Sequence, residues 1–197
     1  MTTGTATLQR TLIPAAGSLA DVAFVVAGAA LIAASAQVAI PLPFTPVPIT
    51  GQTFSVLLVG AALGTARGGS SALLYVLVGA LGVPVYAEGS GGVAVLTGPT
   101  GGYLLAFPLA AALVGRLAER RWDRRFPSAL GAMLCGNVLV YLVGLPWLAV
   151  SLGTGLERTL ELGLYPFVPG DVVKLSFAAA LLPTAWRLVG ARRNGAD

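Results

Sequence analysis

The chain has 197 residues, of which 56% are hydrophobic and only 10% charged, against roughly 25% charged in an ordinary soluble domain. Histidine is absent and Cys135 is the sole cysteine, which excludes a His-assisted serine nucleophile, an intrachain disulfide and a CxxC metal or redox centre. The net charge of +4 and the pI near 9.7 come from arginines placed where membrane topology wants them, so no nucleic-acid partner is expected.

Charged residues are missing from 22–66, 68–87, 89–115 and 126–156. About 20 apolar residues cross a hydrocarbon core of roughly 30 Å, and these windows fit that length or twice it. The expected fold is an all-α integral membrane protein of six transmembrane helices in a bundle, both termini cytoplasmic. Residues 1–21 are expected to form an amino-terminal tail, 22–190 the six-helix transmembrane domain, and 191–197 a carboxyl-terminal tail.

The first helix is predicted over Val22–Ile40. Its Ala34-Ser35-Ala36 imitates a signal-peptidase site, but the preceding tail is long, Asp21 sits at the edge of the apolar run and another span follows almost at once, so a retained span is expected. Ala29 with Ala33, and Ala30 with Ala34 beside them, have the small-xxx-small spacing that lets helix backbones approach in lipid. The run PLPFTPVPIT then breaks the helix, since each proline lacks an N–H and disfavours helix in its predecessor.

The second helix is predicted over Gln52–Ala66 and the third over Ser70–Tyr86, with GTARGG as a tight turn between antiparallel spans. The glycine-rich EGSGGVAVLTGPTGG follows as a long loop, able to approach a ligand with its main chain. Ser90, Thr97 and Thr100 are its candidate hydrogen-bond formers. The fourth helix, Tyr103–Leu117, leads into the charged connector RLAERRWDRRF, and the fifth is predicted over Ser128–Leu152. The recurrence of LVGA at Leu58–Ala61 and Leu77–Ala80 is too common in Gly/Ala-rich membrane helices to mark a repeat.

The sixth helix, Asp171–Val189, opens with PFVPGDVVKLSF. Asp171 and Lys174 stand three residues apart, hence on one face, and ionisable groups inside a span usually meet a partner or a polar cavity. They read as a solute-binding pair, against a reading as helix-dipole partner and snorkelling lysine. Tyr86, Tyr103, Trp147 and Tyr165 fall near one boundary, as an interfacial belt or as stacking surfaces for an apolar ring. Glu88, Glu157, Arg158 and Glu161 are expected to be solvated.

With the amino terminus inside, the cytoplasmic side holds ten arginines and the outer loops only Arg158, as the positive-inside rule demands. The cluster around Trp122 is read as a topology determinant, with anionic membrane lipid as a secondary partner. No GxxxxGK[ST] loop, HExxH or paired intramembrane carboxylate is present. The chain is thus not expected to be an enzyme or to carry a cofactor or metal, and any ATP-driven step belongs to another chain. A scaffold subunit without solute binding is the alternative.

In this order and spacing, PLPFTPVPITGQTF, LGVPVYAEGSGG, GPTGGYLLAFPLA and PFVPGDVVK resemble the BioY family of biotin transport proteins, over nearly the whole chain. The resemblance implies a substrate-capture S component of an energy-coupling-factor (ECF) transporter in the cytoplasmic membrane, binding biotin at its outer side. Its partners would be a transmembrane coupling protein, contacted through Ala29 and Ala33, and two cytoplasmic ATPase subunits. Asp171 and Lys174 match the acidic and basic positions that contact biotin; Ser90, Thr97, Tyr86, Tyr103 and Trp147 complete the expected site. The chain departs from the family pattern at Ser90, where Asn occurs, and at Leu104, where Arg follows the tyrosine. Carboxylate recognition then rests on Lys174 or on backbone N–H groups.

Overall fold

The computed structural model describes residues 7, 8, 11 and 17–194, the last five by their backbone alone. The elements are α1 (Ser18–Ala36), β1 (Ala39–Ile40), β2 (Ile49–Thr50), α2 (Gln52–Leu63), α3 (Thr65–Ala80), α4 (Val93–Thr97), α5 (Gly101–Glu119), α6 (Phe126–Leu152), α7 (Leu156–Gly163) and α8 (Val168–Asn194). Apart from the two-residue antiparallel ladder that pairs Ala39 with Thr50 and Ile40 with Ile49, the protein is all-α.

Six long helices build the bundle, yet among the described residues only α1, α5, α6 and α8 are long and apolar enough to cross a membrane. The expectation of six such spans is corrected at α2 and α3, which have 12 and 16 residues. Gly64, at φ +85°, ends α2 and starts α3 by itself, so the expected six-residue turn is one residue and Arg67 lies in the first turn of α3. That region is held from outside: Glu119 Oε1 accepts from the Thr65 N–H and Oε2 from its hydroxyl, both at 2.9 Å. At its other end α3 stops at Ala80, before Gly82 at φ +95° and Pro84.

Residues with almost no side chain let the helices close up. A Cβ on Gly60 would lie 2.4 Å from the Ala111 carbonyl oxygen of α5, one on Gly68 2.7 Å from Gly60 Cα, and one on Gly115 2.4 Å from the Gly64 carbonyl carbon. Backbone thus meets backbone among α2, α3 and α5, the packing that replaces hydrophobic drive between helices in lipid. α5 is the centre, its Ala106, Phe107, Ala110, Ala111 and Val114 buried between α2, α3 and α6.

Helix α1 lies on α3 with Gly28 against Ser71. It turns Gly28, Ala29, Ile32 and Ala36 inward and leaves Ala30 and Ala34 exposed. Of the expected amino-terminal tail, Ser18–Asp21 already belong to α1, while Thr7 and Leu8 are buried and Thr11 is half-buried; the rest of 1–16, and 195–197, lie outside the described residues. The helix expected to end at Val189 continues to Asn194.

The α5–α6 connector is tied to α8. The Trp186 indole N–H donates to Asp123 Oδ2, and the Arg124 guanidinium sits 3.2 Å from the centroid of the Trp186 ring. Asp123 is 1% exposed, and burial holds its carboxyl above the usual carboxylate range against the pull of Trp186 and Arg124. Trp186→Phe keeps a ring under Arg124 but strips the donor. A loss of about 1–3 kcal/mol is expected, the cost of a buried acceptor left unpaired. Because the folded state prefers Asp123 protonated, stability falls as pH rises above the ordinary carboxylate range, and the deficit of the variant grows in that direction. Melting curves in detergent at mildly acidic and neutral pH check both the size and the sign.

Candidate functional site

At one end of the bundle a cavity of about 220 Å³ is lined by six segments. The first loop contributes Pro46, Val47 and Pro48, the ladder and the start of α2 contribute Thr50, Gln52 and Thr53, and the glycine-rich loop contributes Tyr86, Glu88 and Ser90. α5 supplies Tyr103, Leu104 and Phe107, α6 supplies Asn137, Val140 and Tyr141, and α8 with the residue before it supplies Phe167, Asp171 and Lys174.

Asp171 organises the floor. It is 6% exposed in the first turn of α8, where the helix dipole favours a carboxylate. Its Oδ1 pairs with Lys174 Nζ at 2.8 Å, as the three-residue spacing allows. Its Oδ2 accepts from Asn137 Nδ2 at 3.0 Å and from the Tyr141 hydroxyl. Lys174 Nζ also donates to the Thr50 carbonyl at 3.3 Å, so the pair links α8, α6 and the ladder. Three charge-assisted contacts to one buried carboxylate are worth more than the same contacts in solvent.

The walls are aromatic and individually fastened. Tyr103 stands edge-on to Tyr141, centroids 6.3 Å apart, with its hydroxyl donating to the Gly163 carbonyl at 3.0 Å. Tyr86 lies on Gly79, where a Cβ would fall 2.2 Å from its ring, and donates to the Val76 carbonyl at 2.6 Å. The Gln37 amide at the end of α1 donates to the Tyr86 carbonyl at 3.2 Å, fixing the glycine-rich loop. The proline-rich loop is pinned on the far side: Thr45 Oγ1 donates to the Leu162 carbonyl of α7 at 2.7 Å, and Val47 packs with Leu148, Leu162 and Phe167.

Of the expected site residues, Asp171, Lys174, Tyr86, Tyr103 and Ser90 line this cavity; Thr97 and Trp147 do not. Thr97 is on the exposed side of α4 and bonds back to the Val93 and Ala94 carbonyls, both at 3.3 Å. Trp147 donates to the Gly98 carbonyl at 2.9 Å and packs on Gly102, so it supports the loop from behind. Tyr165 is 56% exposed and also stands outside the cavity. Glu88, expected in solvent, is exposed but lies at the cavity mouth, in a left-handed conformation at φ +59° that is uncommon for a non-glycine residue. Glu157, Arg158 and Glu161 are exposed on α7.

Sequence reasoning missed Asn137, Tyr141 and Gln52. For the first two a signal was present: an amide and a phenol four residues apart, hence on one face, in a span with no charge.

The arrangement is that of a helical membrane protein with a ligand cavity between its helix ends, one carboxylate and one ammonium at its floor and aromatic walls: a solute-binding subunit. The sequence matches the BioY family over residues 6–191, and the chain belongs to that family. It is 39% identical over 170 residues to the probable biotin transporter BioY of Pyrococcus horikoshii, covering 86% of this chain and 96% of that one. With the biotin transporter BioY of Thermotoga maritima it shares 40% over 152 residues, 77% of this chain and 87% of the other. Its fold matches a crystal structure of the S component for biotin from an ECF-type ABC transporter with a TM-score of 0.79 and 27% identity, over 86% of this chain and 92% of that one.

Proposed function

We propose that the chain captures biotin in this cavity and is the substrate-specific subunit of an ECF-type transporter. The observation that carries the reading is the Asp171 carboxylate, fixed by Lys174, Asn137 and Tyr141 at the floor of an aromatic-walled cavity, in a chain of the BioY family. The carboxylate accepts from ureido N–H groups, Lys174 donates to a ureido or carboxylate oxygen, and the thiophane ring and alkyl chain lie on Tyr86, Tyr103, Phe107 and Phe167. Binding and release are the whole chemistry of such a subunit; it is not an enzyme.

In the membrane all six long helices are embedded, α2 and α3 as a short hairpin wedged against α5, with residues 22–190 as the transmembrane domain. The arginine distribution sets both termini in the cytoplasm and the cavity outward. Energy comes from two ATPase subunits through a coupling protein docked on α1. A partner helix laid there meets exposed Ala30 and Ala34 and half-buried Ala33, whereas Ala29 already packs in its own core.

Equilibrium binding of labelled biotin to the purified chain in detergent, with riboflavin and thiamine as competitors, tests the reading. Saturable binding that resists both competitors supports it. No binding by well-folded protein overturns it and leaves a scaffold subunit. The loop clasp adds a kinetic expectation: Thr45→Val, nearly isosteric, removes the bond to Leu162 and the acceptor of the Val47 N–H and is expected to speed biotin release by about fivefold or more, one neutral hydrogen bond being worth about 1 kcal/mol. A chase with unlabelled biotin measures it.

A further inference from the structure

The α5–α6 connector carries a second feature that biotin capture does not use. It lies far from the cavity: 17 residues of helix separate Tyr103 from Arg120, about 26 Å along α5. Arg116, Arg120, Arg121 and Arg125 are all exposed, and among the described residues none of them makes an ion pair. The neighbouring acids are spent elsewhere, Glu119 on the start of α3 and Asp123 on Trp186. What the connector shows to solvent is therefore uniformly positive.

The surface is also built. Asp123 and Arg124 clamp the connector onto Trp186 of α8, Arg121 reverses the chain in a left-handed conformation at φ +69°, and Arg125 is extended. Arg116 and Arg120, four residues apart, share one face of α5. Trp122 and Phe126 stand 39% and 45% exposed among these guanidinium groups, the mixture of aromatic and cationic side chains found where a membrane protein meets the headgroup layer. Guanidinium forks bind phosphate oxygens in pairs, and a hydrocarbon core of about 30 Å sets the connector at the opposite interface from the cavity.

We infer that the α5–α6 connector is a binding site for the headgroups of anionic phospholipids in the leaflet opposite the cavity mouth. The arginines hold the phosphate and Trp122 and Phe126 enter the layer beneath it.

The test uses the whole chain in a neutral detergent, titrated with phosphatidylglycerol or phosphatidylcholine and read by lipid adducts in native mass spectrometry and by melting temperature. Selective retention of phosphatidylglycerol with a rise in melting temperature is expected. The triple variant Arg120→Gln, Arg121→Gln, Arg125→Gln loses the selectivity, about fivefold for each arginine removed, with its lipid-free melting temperature unchanged. The matching lysine variant keeps most of it. If the triple variant fails to fold, Arg121→Gln alone, in the turn, carries the same test. Equal retention of both lipids, or undiminished retention by the glutamine variants, overturns the inference. So does stabilisation by polyglutamate with none by phosphatidylglycerol, which would assign the surface to an acidic protein.

Discussion

Replacing Asp171 by alanine is expected to weaken biotin capture by about 100-fold or more, a loss near 3 kcal/mol. The carboxylate is both the proposed acceptor for the ligand and the anchor of three neighbours. Its removal leaves the Lys174 ammonium without its ion pair and the Asn137 amide and Tyr141 hydroxyl without an acceptor. A fully buried uncompensated charge costs about 3–5 kcal/mol and an unpaired neutral donor about 1–3 kcal/mol; Lys174 is half-buried and keeps the Thr50 carbonyl, so its share falls below the first figure, and the empty site also rearranges. Asp171→Asn separates the two effects. It is isosteric and still accepts from Tyr141 or Asn137, but it cannot pair with Lys174, so its stability falls less than its affinity. Equilibrium dialysis with labelled biotin, run beside melting curves of both variants, gives both quantities. Wild-type affinity in the alanine variant would remove Asp171 from the site.

Gly60→Val is expected to cost more than about 3 kcal/mol and to leave little folded protein, beyond the usual 1–3 kcal/mol of overpacking. The new side chain points at main chain, 2.4 Å from the Ala111 oxygen and 2.9 Å from Ala111 Cα, and backbone cannot rotate away as a side chain does. Moving α2 instead opens its contact with α3, since Gly68 rests on Gly60 itself. Gly155→Ala is the control: nothing lies within 4 Å of its added Cβ and its φ is −72°, so it is expected to behave as wild type. Monodispersity on size exclusion and the melting temperature of each variant decide the matter. A Gly60→Val protein as stable as the control would mean that α2 and α5 do not cross as closely as described.

Much of the architecture was legible because it rests on features carried by single residues. Pro41, Pro43, Pro46 and Pro48 forbid helix between α1 and α2 whatever surrounds them, although α1 already stops at Ala36 and not at the expected Ile40, and charge-free windows announce apolar segments by length alone. Asp171 and Lys174 stand out in α8 because a charge in an apolar helix needs a reason wherever the helix packs. The family motifs were legible for the same cause, being local strings.

Facing was not legible. α1, α6 and α8 are apolar nearly all round, and a helix without a polar stripe contains no periodic signal for which side turns inward. Thus Ala29 and Ala30 look alike in sequence, yet one is in the core and the other exposed. Trp147 and Tyr103 look alike as boundary aromatics, yet one props the loop while the other walls the cavity. The composition, the breaks and the ionic pair were determined by the sequence by itself, since each follows from a residue and its immediate neighbours. The union of Asn137, Tyr141, Asp171 and Thr50 in one site was decided only by the tertiary structure. It depends on the rotation of α6, where Gly136 receives Leu57 and Val114 and Gly144 receives the Tyr103 ring, and on the return of the proline-rich loop, fastened by Thr45 and Val47; neither follows from a pattern of polarity.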